Sequence, residues 1–246
     1  MSFKYIKDID VVILCGGRGR RLRCIVKNLP KPMVLIKNRT FLDILIDYVL
    51  KFGFKKIILC TGYKSNFIKK YYQKKGFNII FSEEKEPLGT GGALKNAKAF
   101  IKSPLFLVMN GDSFFKINLR RFINFHISKK AAISIAVKKA GNESGYGVIR
   151  LDSFSRIISF NEKINIVPNC YINAGIYCFQ KNKLSLLPRK RKFSLEKDFL
   201  NTVVIKHKVY GYKSCAAFID IGTPERYKEA ENFFEKFMDR NGKSEQ

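Results

Sequence analysis

An apolar run at residues 11–14, Val-Val-Ile-Leu, breaks abruptly into Cys15, Gly16, Gly17, Arg18, Gly19, Arg20, Arg21 and Leu22, and the stretch closes on Leu29, Pro30, Lys31 and Pro32. Four bulky aliphatic residues bounded by glycines read as a buried strand feeding a loop. Gly16, Gly17 and Gly19 let that loop turn tightly and bring backbone N–H groups against an anion, while Arg21 and Lys31 add fixed positive charge. Such a loop suits a triphosphate. It is not a Walker loop, because no Gly-Lys-Ser/Thr follows, and it lacks the third glycine of a dinucleotide fingerprint.

The residues that follow alternate between strand and helix. Thr40 caps a helix expected over 41–51, where Phe41, Leu42, Leu45, Ile46, Val49 and Leu50 form an apolar stripe, and Gly53 ends it. A buried strand is expected at 56–60, a short helix at 66–72 and a further strand at 77–81. This order predicts a largely parallel sheet covered on both faces. Pro87, Gly89, Gly91 and Gly92 predict that residues 83–93 form a loop at a strand's carboxyl end, with a helix restarting over 93–101. In open α/β sheets that edge holds the ligand.

A strand at 105–109 runs directly into Asn110, Gly111, Asp112 and Ser113, which places the Asp112 carboxylate where it could hold magnesium. The later half continues with a helix at 119–128 and a strand at 131–137, then a hairpin of two strands at 146–151 and 156–160 that leads into Glu162 and Lys163. Residues 171–177 form an apolar strand interrupted by Asn173 and Gly175, which marks either a bulge or close ligand approach. Residues 193–200 open a helix capped by Ser194, whose acidic first turn is explained by the helix dipole. Asp220 is a second carboxylate at a strand end, before a terminal helix that starts at Thr223 and Pro224 and runs to about residue 238.

A chain of 246 residues with 46% hydrophobic content can bury one sizeable core. A single domain over 1–246 is expected, with a nucleotide-binding half at about 1–115, a sugar-phosphate half at about 116–238 and a frayed tail at 239–246. The net charge of +27 suggests anionic partners, for which nucleic acid, a membrane surface and phosphorylated small molecules all qualify, but the lysines are scattered, which favours a basic solvated surface with a few functional cations. Six cysteines without a C-x-x-C pair read as buried reduced thiols. Asp8 and Asp10 precede an apolar run of only four residues, and no span reaches membrane length, so a cytoplasmic protein without membrane insertion is expected.

Six stretches taken together, C-G-G-R-G-R-R-L-R with L-P-K-P, E-P-L-G-T-G-G-A, N-G-D-S, F-N-E-K, Y-I-N-A-G-I-Y and F-I-D-I-G-T-P, resemble the sugar-phosphate nucleotidyltransferases, or nucleoside-diphosphate-sugar pyrophosphorylases. Cys15, Arg20 and Cys24 depart from the commoner Ala, Thr and Pro. The resemblance implies a Rossmann-like three-layer α/β/α sandwich with a mixed, mainly parallel central sheet. It also implies attack of a sugar 1-phosphate on the α-phosphorus of a nucleoside triphosphate, giving a nucleotide sugar and pyrophosphate. By that resemblance Arg21, Lys31, Asp112 and Lys163 are catalytic. Leu14, Gly16, Gly17, Gly19, Glu84, Pro87, Gly89 and Thr90 bind the nucleotide. Gly111, Gly147, Glu162, Lys163 and Asn173 bind the sugar phosphate, and Asp112 with Asp220 holds Mg2+.

The compact length and the E-P-L-G-T-G-G-A-L form are similar to the guanylyltransferases acting on D-glycero-α-D-manno-heptose 1-phosphate in bacterial surface-polysaccharide synthesis. Mannose-1-phosphate guanylyltransferases are similar through the same loop, and another hexose-1-phosphate nucleotidyltransferase using UTP, dTTP or CTP is a further alternative. Base choice favours GTP on chemical grounds: guanine's N1–H and 2-amino group are adjacent donors that a carboxylate accepts together, whereas uracil and thymine suit an amide. Glu84 stands five residues before Gly89, with Glu83 as the neighbouring alternative. The expected partners are therefore GTP, a sugar 1-phosphate, a GDP-sugar and pyrophosphate, and a homodimer is compatible with them. A catalytically idle relative would be expected to lose cations or metal carboxylates, and Arg21, Lys31, Asp112, Lys163 and Asp220 are all present.

Overall fold

The chain begins its sheet with β1 (Asp10–Leu14), followed by a small ribbon of β2 (Leu35–Ile36) and β3 (Arg39–Thr40), then α1 (Phe41–Lys51), β4 (Lys56–Thr61), α2 (Ser65–Gln73) and β5 (Ile79–Glu83). Next come α3 (Gly89–Ala97), β6 (Leu105–Asn110), β7 (Ser113–Phe115), α4 (Leu119–Ser128), β8 (Ile133–Lys139), β9 (Gly147–Leu151), β10 (Ile157–Glu162) and β11 (Tyr171–Gln180). A π-helical segment, Leu195–Leu200, runs into α5 (Asn201–Lys206), and β12 (Val209–Ser214), β13 (Phe218–Asp220) and α6 (Pro224–Gly242) complete the chain. The computed structural model describes residues 6–17, 19–22, 29–141, 145–162 and 170–242. Lys163 and Cys24 lie outside them.

Alternating side chains show why helices lie on both faces. Val11 and Ile13 of β1, Ile57 and Leu59 of β4, and Leu107 and Met109 of β6 enter one apolar cluster. Val12, Ile58, Phe106 and Val108 enter the other. A strand apolar at every position must bury both faces, and only a three-layer arrangement does this. The first cluster takes α1 and α4, whose N-termini are capped by Thr40, accepting from Asp43 N–H at 3.1 Å, and by Asn118, accepting from Arg121 N–H at 3.0 Å. The second takes Leu94 and Ala97 of α3 with Leu195 and Phe199.

The sheet runs β10-β9-β11-β6-β1-β4-β5, with β8 paired to β11 and β12 to β8. β5, β4, β1 and β6 are parallel. β11 is antiparallel to β6, and β9 with β10 forms the expected hairpin. Leu14, Thr61, Glu83 and Asn110 therefore end four parallel strands at one edge. The register of β11 shifts between Asn173 and Tyr177, where Gly175 has φ +73°. A Cβ there would stand 2.7 Å from Ser113 Oγ and 2.9 Å from Asn110 Nδ2, so the glycine serves both a bulge and a close approach.

Four expectations need correction. The strand expected at 77–81 is β5, Ile79–Glu83, and α6 runs to Gly242, into the tail expected to fray from 239. Residues 89–92 are not loop: they form the first turn of α3, which ends at Ala97 and not at Ile101. The cause is distant in sequence. Gly91 and Gly92 N–H donate to the Phe193 carbonyl at 3.1 and 3.2 Å, and a Cβ on Gly91 would come within 2.2 Å of the Phe193 ring. Nor are all the thiols buried, since Cys215 is exposed.

One core group titrates. His126 of α4 is buried with Nδ1 2.9 Å from Ser134 Oγ, and burial pulls its pKa down to about 4. The folded state thus prefers the neutral ring. Its contribution to stability is complete above the unfolded pKa near 6.5 and is lost as pH falls from there toward about 4. Urea unfolding of the wild type is expected to show a loss of about 1.4 kcal/mol per pH unit across that window in excess of His126→Gln. Parallel curves for the two proteins would refute it.

Candidate active site

At the shared edge of the parallel strands, Leu14, Gly16, Gly17, Lys31, Glu84, Pro87, Gly89, Thr90 and Asp112 line one cleft of about 290 Å3, joined by Cys15 and Asn110. The strand ends are stitched together around it: Cys15 N–H donates to the Cys60 carbonyl at 3.0 Å, Tyr63 N–H to Gly16 at 3.2 Å and Gly111 N–H to Leu14 at 2.9 Å. Gly111 is buried in that stitching, where a Cβ would stand 2.7 Å from the Leu14 carbonyl oxygen. Gly19 has φ +57° and a Cβ on it would strike Lys31 Cβ at 2.8 Å, so the glycine loop lies directly on the lysine.

Lys31 Nζ meets Asp112 Oδ2 at 2.5 Å. Burial acts to raise the Asp112 pKa, but the charge and hydrogen bond of Lys31, with the charge of Arg21, outweigh it and hold the carboxyl below its usual range. Arg21, in a short 3-10 turn, is therefore within electrostatic reach of the same point. Lys31 and Asp112 line the cleft together, and the Arg21 charge acts on the same carboxylate.

Glu84 and Glu83 diverge. Glu83 is exposed and bonded to Ser65 and Lys69 on α2. Glu84 turns into the cleft, where its Oε2 accepts from Leu88 N–H at 3.2 Å. A Cβ on Gly16 or Gly62 would lie 2.4 Å from Oε1, so two glycines make the room this carboxylate occupies. Burial raises its pKa, partly offset by the Leu88 donor. A carboxylate in that position gains most from a ligand that offers hydrogen-bond donors. Thr90 also reaches the cleft, but its hydroxyl is committed to other protein groups, donating to Glu196 at 2.6 Å and accepting from Leu195 N–H at 2.8 Å.

Of the other expected residues, those described lie outside the cleft lining, and Gly147, Glu162 and Asn173 adjoin one another. Gly147 pairs with Glu162 across β9–β10, and a Cβ on Gly147 would touch Asn173 Cβ at 3.6 Å. Asn110, which lines the cleft, is the neighbour of Gly175 two residues beyond Asn173. Asp220 pairs with Ser113 in a β13–β7 ladder, and Ile221 N–H donates to the Asp112 carbonyl at 3.0 Å. The Asp220 carboxylate accepts from Gly222 N–H at 2.6 Å, from Arg226 at 3.1 Å and from the Tyr146 hydroxyl. Arg226 in turn stacks on Tyr146, 4.3 Å from its ring centre.

Asp112 and Asp220 stand on adjoining backbone and offer only hard oxygen donors. Magnesium takes one or two carboxylates and completes its shell with phosphate and water, which suits the chemistry of these donors, although here Asp112 is paired with Lys31 and Asp220 with Arg226. A larger set of His, Cys, Asp or Glu able to hold a metal does not occur among the described residues.

Three residues were missed by sequence reasoning. Glu196, assigned to the helix dipole, is instead buried and bonded to Thr90 and Tyr177. Tyr177 was read only as part of the apolar strand 171–177. Arg226 had a signal: a cation in a helix's first turn opposes the dipole and calls for a local anion, here Asp220.

The nucleotidyl transferase family model matches residues 10–236. The chain is 38% identical to a D-glycero-alpha-D-manno-heptose 1-phosphate guanylyltransferase of Aneurinibacillus thermoaerophilus, covering 94% of this chain and 100% of that one. It is 39% identical to the protein of the same name in Campylobacter jejuni, over 89% and 97%. Among solved structures, HddC from Yersinia pseudotuberculosis complexed with GMP-PN aligns with a TM-score of 0.81 and 35% identity, over 92% of this chain and 99% of that one. Matched over almost its whole length, this chain belongs to the nucleotidyl transferase family.

Proposed function

We propose that the chain is a cytoplasmic guanylyltransferase joining GTP to D-glycero-α-D-manno-heptose 1-phosphate, releasing pyrophosphate and GDP-heptose for a bacterial surface polysaccharide. The observation that carries this reading is Glu84 inside the cleft, a carboxylate that accepts from Leu88 N–H and has capacity for the further donors that a guanine edge supplies through N1–H and the 2-amino group. Full-length similarity to the Aneurinibacillus and Campylobacter enzymes supports the heptose. Mannose 1-phosphate is the second reading: a mannose-1-phosphate guanylyltransferase of Mycobacterium tuberculosis is 31% identical, but this chain spans only 63% of it.

In this account residues up to about 115 bind GTP and those from about 116 to 238 bind the sugar phosphate, within one domain. A sugar-phosphate oxygen attacks the α-phosphorus, the bond to the bridging oxygen of the β-phosphate breaks, and pyrophosphate leaves with that oxygen. Both reactants are anions, so charge crowding at one phosphorus dominates the barrier. Lys31 holds the α-phosphate, Arg21 the outer phosphates, and Gly16, Gly17 and Gly19 contribute loop donors. Lys163 neutralises the incoming phosphate, while Gly111, Gly147, Glu162 and Asn173 orient the sugar. Asp112 and Asp220 would hold Mg2+, which neutralises charge on the phosphate oxygens when bound. Nucleic acid and membrane insertion have no part in this reading, and among the described residues no helix is long and apolar enough to cross a membrane.

Pyrophosphate release, measured with Mg2+ while GTP, UTP, dTTP, CTP and ATP are crossed with heptose, mannose, glucose and N-acetylglucosamine 1-phosphates, tests this directly. Release is expected from GTP with the heptose phosphate. Another productive pair would overturn the base or the sugar, and silence throughout in folded, nucleotide-binding protein would leave an idle relative. Glu84→Gln is expected to lower kcat/KM for GTP by roughly 100-fold, the cost of an ionic hydrogen-bond pair, and to narrow the gap to UTP. An unchanged preference for GTP would remove Glu84 from base recognition.

A further inference from the structure

A one-directional chain of hydrogen bonds crosses the seam between the two halves of the proposed site. Asn173 Nδ2 donates to Tyr177 Oη at 2.8 Å, and the Tyr177 hydroxyl donates to Glu196 Oε1 at 3.2 Å. The other carboxylate oxygen, Oε2, accepts from Thr90 at 2.6 Å and Ser194 at 3.0 Å. Tyr177 is fully buried and Glu196 only 7% exposed, so water cannot substitute for a lost partner. Glu196 also sits in a π-helical turn, a geometry that costs regular hydrogen bonding and concentrates at functional positions.

The direction of the chain follows from what Glu196 is. A carboxylate accepts on both oxygens and can donate from neither, so Thr90, Ser194 and Tyr177 must all point their protons at it. Tyr177 has then spent its proton and accepts from Asn173. That fixes the Asn173 amide with Nδ2 toward Tyr177 and Oδ1 toward Gly175 N–H, which it accepts at 3.1 Å. An asparagine amide left to itself can flip; this one cannot without breaking a bond at each end.

We propose that Glu196 and Tyr177 are positioning residues that lock the amide of Asn173 in the orientation the sugar phosphate requires. The inference rests on the reading of Asn173 as a sugar-orienting residue. Neither residue need touch substrate. Glu196→Gln keeps the shape but replaces one acceptor with a donor: turned toward Tyr177 it reverses that hydroxyl and the Asn173 amide, and turned toward Thr90 and Ser194 it breaks their bonds and removes the charge that holds the Tyr177 proton. Tyr177→Phe keeps the ring and deletes the relay.

Both variants are made in the full chain and followed in two ways. By 1H–15N spectroscopy, the side-chain amide pair of Asn173, identified by its disappearance in Asn173→Ala, is expected to shift in each. In turnover, the KM for the sugar 1-phosphate is expected to rise about tenfold, the worth of one well-made hydrogen bond, with GTP affinity and kcat within about threefold of wild type. Tyr177→Phe added to Asn173→Ala is expected to raise KM no further, because the two act through one group. An Asn173 amide signal that stays in place, or variants that lose thermal stability with an unchanged sugar KM, would reduce the chain to a structural seam and overturn the proposal. If wild type turned over no sugar phosphate, the functional reading would fall, while the amide signals would still decide whether Glu196 sets Asn173.

Discussion

The ion pair of Lys31 with Asp112 is the interaction on which the rest of the site depends. Only 10% of the Lys31 side chain is exposed, so its ammonium has given up most of its water and needs an anion beside it. Asp112 meets that need here, but a phosphate would meet it equally well. Around this pair the backbone leaves little freedom: Gly19 lets the loop lie on Lys31, and Gly111 lets β6 end against β1 so that Asp112 emerges at the cleft. The proposed chemistry amounts to exchanging the partners of two charges, Lys31 moving to phosphate and Asp112 to a metal.

Parallel strands make the exchange geometrically available. β5, β4, β1 and β6 end along one edge, and their loops carry Glu84, Gly16, Gly17 and Asp112 to the same opening. The antiparallel half is attached through β11, whose bulge at Gly175 brings its backbone against Asn110 and Ser113. Asp220 joins from a separate two-stranded ladder with Ser113. The proposed site for two anions is thus spread over elements distant in sequence but clamped onto two short strands.

What the sequence disclosed was local or periodic. The helices 41–51 and 119–128 are found with those bounds, because their apolar stripes and caps lie within the segments themselves. Leu14, Gly16, Gly17, Lys31, Glu84 and Asp112 meet in one cleft, because their motifs sit at the ends of strands that are recognisable one by one. Residues 89–92 were misread as loop because the carbonyl that completes the first turn of α3 belongs to Phe193, about a hundred residues away. Glu196 was misread for a similar reason: an acidic residue after a helix cap has a sufficient local explanation, and only the tertiary fold brings Thr90 and Tyr177 to it.

The most direct test of the central claim is calorimetric titration of GTP into wild type and Asp112→Asn, with and without Mg2+. Without the metal, Asp112 competes with the triphosphate for Lys31 and repels it, so Asp112→Asn is predicted to bind GTP more tightly than wild type. With Mg2+ the order is predicted to reverse, since the variant lacks a ligand for the cation. The same order in both conditions would contradict the exchange of partners at Lys31 and Asp112.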